Sequence, residues 1–160
     1  MDVSKVNNGE LVELYSSCIK ELKSRKIIRT KNVLGELGEY IAIDFYNKTS
    51  GLPKLQTAPI GTQNVDAISR NGERYSIKSC TTNTTGTFFG LEPLGSTKPD
   101  RQAFEYLIIC KFDDDFKLSA IYELSWDKFL IHKKWQSRMK AWYVTITNDT
   151  INDAKIIYRS

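Results

Sequence analysis

The stretch from Val65 to Lys78 constrains the fold more than any other part of the chain. Its alternating residues and its Asn71-Gly72 pair predict a β-hairpin in one particular register. A three-residue loop, Arg70-Asn71-Gly72, puts Gly72 where a left-handed residue is needed. Ala67 then lies opposite Tyr75, and Asp66 opposite Ser76. Val65, Ala67, Tyr75 and Ile77 share an apolar face, while Asp66, Ser76 and Lys78 share a polar one. A two-residue loop would set Asp66 against Ile77 and Val65 against Lys78, mixing charged and apolar groups on both faces, which a half-buried sheet resists.

The elements around the hairpin can be read from periodicity. Leu11, Leu14, Tyr15, Cys18, Ile19 and Leu22 recur at helical spacing and predict an amphipathic helix from Asn8 to Lys26. A second helix is predicted from an N-cap at Thr30, with Leu34, Leu37, Ile41 and Phe45 as its apolar stripe and Gly51-Leu52-Pro53 as its stop. A loop rich in Thr, Gly and Pro leads to the hairpin, and the polar segment from Ser79 to Gly86 reads as a loop beside it. Phe104–Cys110 and Leu118–Leu124 read as central strands joined by a turn at Asp113-Asp114-Asp115. Ser125 caps a predicted helix from Trp126 to Trp135, with Trp126, Phe129 and Leu130 packing it on the sheet. Ala141–Thr147 forms a further strand, and Ile156-Ile157-Tyr158 an edge strand. The order implies one α/β domain over residues 1–160, a central mixed β-sheet flanked by α-helices.

Composition narrows the class. A chain of 160 residues with 41% hydrophobic content can bury one sizeable core. Its start, Met1-Asp2-Val3-Ser4-Lys5, has no secretory pattern, and no apolar run approaches bilayer length, so the expectation is a soluble cytoplasmic protein with no membrane partner. Cys18, Cys80 and Cys110 lack C-x-x-C spacing and read as reduced thiols. His132 is the one histidine, which disfavours zinc and nucleophilic triads. The formal charge of +4 is modest but uneven: Lys20, Lys23, Arg25, Lys26, Arg29 and Lys31 crowd one segment, and Lys128, Lys133, Lys134, Arg138 and Lys140 another.

Asp66 followed across a hairpin by Ser76-Ile77-Lys78 resembles the P-D…(D/E)-x-K pattern of restriction-endonuclease-like nucleases. Gly38-Glu39-Tyr40-Ile41-Ala42 resembles the G-E-x-x-A helix that precedes the core motif in many members. The two motifs cover roughly residues 30 to 80. The resemblance implies a restriction-endonuclease-like core and a magnesium-dependent DNA endonuclease, a type II restriction enzyme being the expected role. Asp66 would bind Mg²⁺, with Mn²⁺ able to substitute, Ile77 would offer its backbone carbonyl, and Lys78 would assist the attacking water. Ser76 departs from the pattern, because it stands where the family has an acid and a hydroxyl is a poor Mg²⁺ ligand. Glu39 is the expected replacement carboxylate, with Glu36 as the alternative from the neighbouring turn, although Glu36 also reads as a solvated helix residue. Glu73 reads as turn solvation, and the Asp113-Asp114-Asp115 acids as a solvated turn.

The resemblance also implies double-stranded DNA as partner and a symmetric homodimer, with the early helices as candidates for its interface. Gln63 and Asn64 before the site, Thr81, Thr82, Asn83, Thr84 and Thr85 after it, and Lys98 and Arg101 beyond are the expected DNA contacts. Amides can read adenine, and hydroxyls hold phosphates. The competing expectation is a catalytically inactive nuclease-fold DNA-binding protein or defence-system subunit. Asp66 and Lys78 would then form an ordinary cross-strand pair worth roughly 0.2–1 kcal/mol.

Overall fold

The computed structural model describes residues 2–160, so Met1, the first residue of the start read above, lies outside it. Helix α1 spans Asn8–Ser24. A capping box opens it: the Asn7 side chain accepts from Glu10 N at 3.0 Å, and the Glu10 carboxylate accepts from Asn7 N at 3.0 Å. Helix α2 spans Val33–Lys48. Its N-cap is Asn32 and not Thr30, whose hydroxyl instead accepts from Asn32 N and so delays the helix start. The face of α2 that goes deepest is also displaced from the predicted stripe: Gly38, Ala42 and Tyr46 are buried, while Leu34, Ile41 and Phe45 pack around them partly exposed. Small residues lead because the helix runs close against the sheet. A Cβ on Gly38 would fall 1.7 Å from Ser79 Oγ.

Six strands form the main sheet in the order β1 (Leu55–Thr57), β2 (Ala67–Ser69), β3 (Arg74–Cys80), β4 (Tyr106–Phe112), β5 (Leu118–Ser125) and β8 (Lys155–Arg159). β3 and β4 are parallel and every other neighbouring pair is antiparallel, giving a mixed sheet flanked by helices. The hairpin has the predicted register, Ala67 opposite Tyr75 and Ile68 opposite Arg74, with Gly72 at φ +86°. β1 lies in what reads as loop. The Asn47 side chain of α2 makes it a strand by donating to Leu55 O and accepting from Leu55 N, a tertiary tie with no local signature.

The sheet separates two apolar layers. α2 covers one face, where Ala42 and Tyr46 meet Tyr75, Ile77, Ile108, Cys110 and Ile121. On the other face Phe88, Phe104, Leu107, Ile109, Trp126, Phe129 and Val144 form the second layer. Helix α3, Trp126–His132, is capped by Ser125 as expected but stops three residues short of the predicted end. Lys133–Gln136 instead forms strand β6, which pairs antiparallel with β7 (Ala141–Val144) as a separate ribbon, Trp135 edge-on to Trp142. β7 therefore does not extend the main sheet. A short helix α4, Asn148–Asp153, precedes the edge strand β8.

The polar segment after the hairpin is less of a loop than its composition suggests. β3 continues through Cys80, which is buried, and Thr85 is buried too. The Thr85 backbone N donates to Val144 O and its hydroxyl accepts from Val144 N, so hydrogen bonds dock this threonine where apolar contact cannot. All three cysteines are free thiols. No helix among the described residues is long and apolar enough to cross a membrane.

Candidate active site

β2 pairs with β3 only as far as Ala67–Tyr75, and β3 then runs on alone toward Cys80 on that side. This leaves a notch between the strands, with Asp66 at its corner. Asp66 N donates to Tyr75 O at 2.8 Å, and the Asp66 carboxylate continues the ladder by accepting from Ile77 N at 2.7 Å. Arg74 O accepts from Glu105 N on the β4 side, and Tyr75 O accepts from Asp66 N on the β2 side. Odd-numbered residues of β3 thus turn their backbone groups toward the notch. By that alternation the Ile77 carbonyl faces the notch.

Glu39 reaches the same place from α2. It lines a cleft of about 170 Å³ together with Asp66, Arg29, Glu36, Thr57 and the 58–62 loop. Burial, and then the charge of Asp66, push the Glu39 carboxyl up to about 7, with Arg29 and Lys78 pulling the other way. Arg29 approaches it at 3.7 Å. Asp66 is likewise raised by burial, against the opposing pull of the Ile77 N–H and Lys78. Lys78 is lowered by burial, with Asp66 and Glu39 acting against that, and its Nζ sits 4.8 Å from the centre of the Phe88 ring. Asp66 and Lys78 sense each other without a direct ion pair among the described residues.

Ser76 and Lys78 share the face opposite Ile77, as the register requires, but that face is not the polar one expected. It packs toward the second apolar layer, with Ser76 beside Leu107, Lys78 beside Ile109, and the Lys78 amine over Phe88. The Ser76 hydroxyl is fully buried and near enough to Asp66 to favour the carboxylate, yet it has no hydrogen-bond partner of ordinary geometry among the described residues. An orphaned buried hydroxyl near the desolvated Asp66 carboxylate is a place where a bound water could be satisfied. No group of three acid, histidine or cysteine side chains with metal-holding geometry occurs among the described residues. The donors on offer are therefore two carboxylates and a carbonyl.

Glu36 does something different from either reading made of it. It is buried, 8% exposed, and its Oε2 accepts from Arg29 N and Thr30 N, each at 2.7 Å. It is neither solvated nor available as a metal ligand, because it holds the turn before α2. Glu73 is also more than turn solvation, since the Ser69 hydroxyl donates to it at 2.9 Å. Arg29 and Phe88 flank the site although neither stands out by pattern: Arg29 is one of a run of basic residues, and Phe88 follows a polar segment.

Gln63, Asn64 and Arg101 line a second groove beside the hairpin, about 410 Å³, with Arg74 and the 90–91 turn. Thr82, Asn83 and Thr84 are exposed elsewhere: Asn83 lines a cleft with Lys111, Asn148 and Arg159. Thr81 gives its carbonyl to Lys111, Thr85 is buried, and Lys98 lies exposed in the 89–103 loop. The expected DNA contacts thus fall into separate groups and not one surface. His132, without a partner by sequence, pairs with Asp153 at 2.7 Å and links α3 to α4. The nearby Thr150 hydroxyl donates to Thr145 O, so it is not held as a nucleophile.

No family model matches this chain, and no curated protein is found to match it.

Proposed function

We propose that this protein is a magnesium-dependent DNA endonuclease on a restriction-endonuclease-like core, with site-specific type II cleavage as its role. The observation that carries the reading is that Glu39 of α2 and Asp66 line one cleft, with Lys78, its amine over the Phe88 ring, close enough for its charge to act on both carboxylates. The parallel β3–β4 pair with α2 against it supports such a core.

Glu39, Asp66 and the Ile77 carbonyl would hold Mg²⁺, which supplies charge neutralisation at a phosphate and a bound water acidic enough to attack. Asp66 is oriented for this by its bond to Ile77 N, which fixes the carboxylate in the gap of the ladder. Lys78, with its proton affinity lowered by burial, can take a proton from the attacking water or donate to the phosphate oxygen on which charge develops. The Phe88 ring lies under the amine at 4.8 Å, where its face attracts the charge. Arg29, 41% exposed, offers a cation to a flanking phosphate at the rim.

One observation favours the second reading, an inactive DNA-binding protein. The acid normally next to this lysine is absent, and the hydroxyl in its place is buried without a partner. The test is incubation of the protein and Lys78→Ala with plasmid and genomic DNA in Mg²⁺, Mn²⁺ or EDTA. Discrete metal-dependent fragments that vanish in the variant support the enzyme. Salt-sensitive binding without cleavage supports the second reading, and no binding sinks both.

A further inference from the structure

None of the residues of α1 is buried. Leu11, Val12 and Tyr15 are 45%, 66% and 66% exposed, and Cys18 is exposed beside them. Leu14, Ile19 and Leu22 complete the same face only partly covered. A helix of this length is marginal in water by itself, and a contiguous apolar stripe on it is an interaction surface by default. The capping box secures its start without supplying any cover for this stripe.

We propose that α1 is a homodimer interface, pairing antiparallel with α1 of a second copy of this chain. The sequence of the helix is self-complementary about its centre between Ser16 and Ser17. Reversed against itself, it sets Leu11 opposite Leu22, Leu14 opposite Ile19 and Tyr15 opposite Cys18, while Val12, at the edge of the stripe, falls opposite Glu21. Charge selects the direction. Glu10 and Glu13 make the first half acidic, while Lys20, Lys23, Arg25 and Lys26 outweigh Glu21 in the second half and just beyond it. Antiparallel pairing lays the acidic half of one copy along the basic half of the other and opposes the two helix dipoles; parallel pairing lays like on like. A symmetric homodimer is part of the nuclease reading and this interface deepens it, but the pairing and its direction rest on the residues of α1 and are tested without any measurement of cleavage.

Sedimentation of the full chain over a concentration series tests it. The expected result is a monomer–dimer equilibrium that Tyr15→Glu weakens at least about tenfold, with the circular dichroism of the folded body unchanged, because burying a lone carboxylate at the seam costs 1.4 kcal/mol or more. Direction is tested in a Cys18→Ser background with Leu11→Cys and Leu22→Cys chains. Antiparallel pairing yields a disulfide-linked dimer when the two are mixed and none from either alone. A monomer at every concentration, a dimer indifferent to Tyr15→Glu, or Leu11→Cys linking to itself would each overturn the proposal. The first of these would leave the stripe to a different protein.

Discussion

Glu36 and Glu39 stand one helical turn apart and do opposite things with their charge. Burial raises the proton affinity of Glu36, but the Thr30 and Arg29 N–H groups outweigh it and hold the carboxyl below its ordinary range. Glu36→Ala would strand two donors, and we expect a loss of about 2 kcal/mol in denaturant unfolding. Glu36 gives stability that is present above its ordinary value of 4.5 and lost as pH falls through the lower folded value. Glu39 runs the other way: raised to about 7, it favours folding fully below 4.5, and that contribution fades as pH rises through 7. Carboxyl NMR of the metal-free protein should find Glu39 titrating near neutrality. Asp66→Asn should move it down, and an unmoved midpoint would mean the two carboxylates are not neighbours. The sequence showed Glu39 through its G-E-x-x-A setting. It could not separate a bound Glu36 from a solvated one, because the donors that bury it are backbone groups of the preceding turn, which no side-chain pattern records.

At the scale of elements, the legible features were those fixed by local chemistry. The hairpin register followed from the position of Gly72 and the parity of Asp66, Tyr75 and Lys78. Tertiary ties decided the rest. β1 exists because Asn47 brackets Leu55, β6 takes over where α3 was expected to continue, and Thr85 is docked by Val144. The most demanding of these ties is the approach of α2 to β3 at Gly38, because a methyl there would meet Ser79 Oγ at 1.7 Å and Ser79 Cβ at 3.0 Å. Gly38→Ala should therefore cost roughly 1–3 kcal/mol despite the better helix propensity of alanine. Adding Ser79→Gly should return much of that loss, measured as a shift in the urea midpoint. Lack of recovery would show that the helix is held away from the sheet by something else. Because Glu39 follows Gly38 directly, the single variant should also lower any metal-dependent activity more than its stability loss explains.

In the whole molecule, Glu39 comes from the helix on one face of the sheet, Asp66 stands at the corner of the notch, and Lys78 turns toward Phe88 on the other face. The separation of Glu39 and Asp66 in sequence explains why spacing singled out each residue but not the cleft they share. Lys78→Arg should fold normally yet fail to restore the cleavage lost in Lys78→Ala, since a guanidinium cannot give up its proton near neutral pH. Full cleavage by the arginine variant would reduce Lys78 to a fixed positive charge. The two borders of the sheet carry a further consequence. β1 is three residues long, and β8 begins with Lys155, ends with Arg159 and pairs irregularly with β5 at Ile121–Tyr122. Short, charged and kinked borders discourage strand addition. Growth into fibrils by strand addition through the sheet is thus disfavoured even where molecules crowd together.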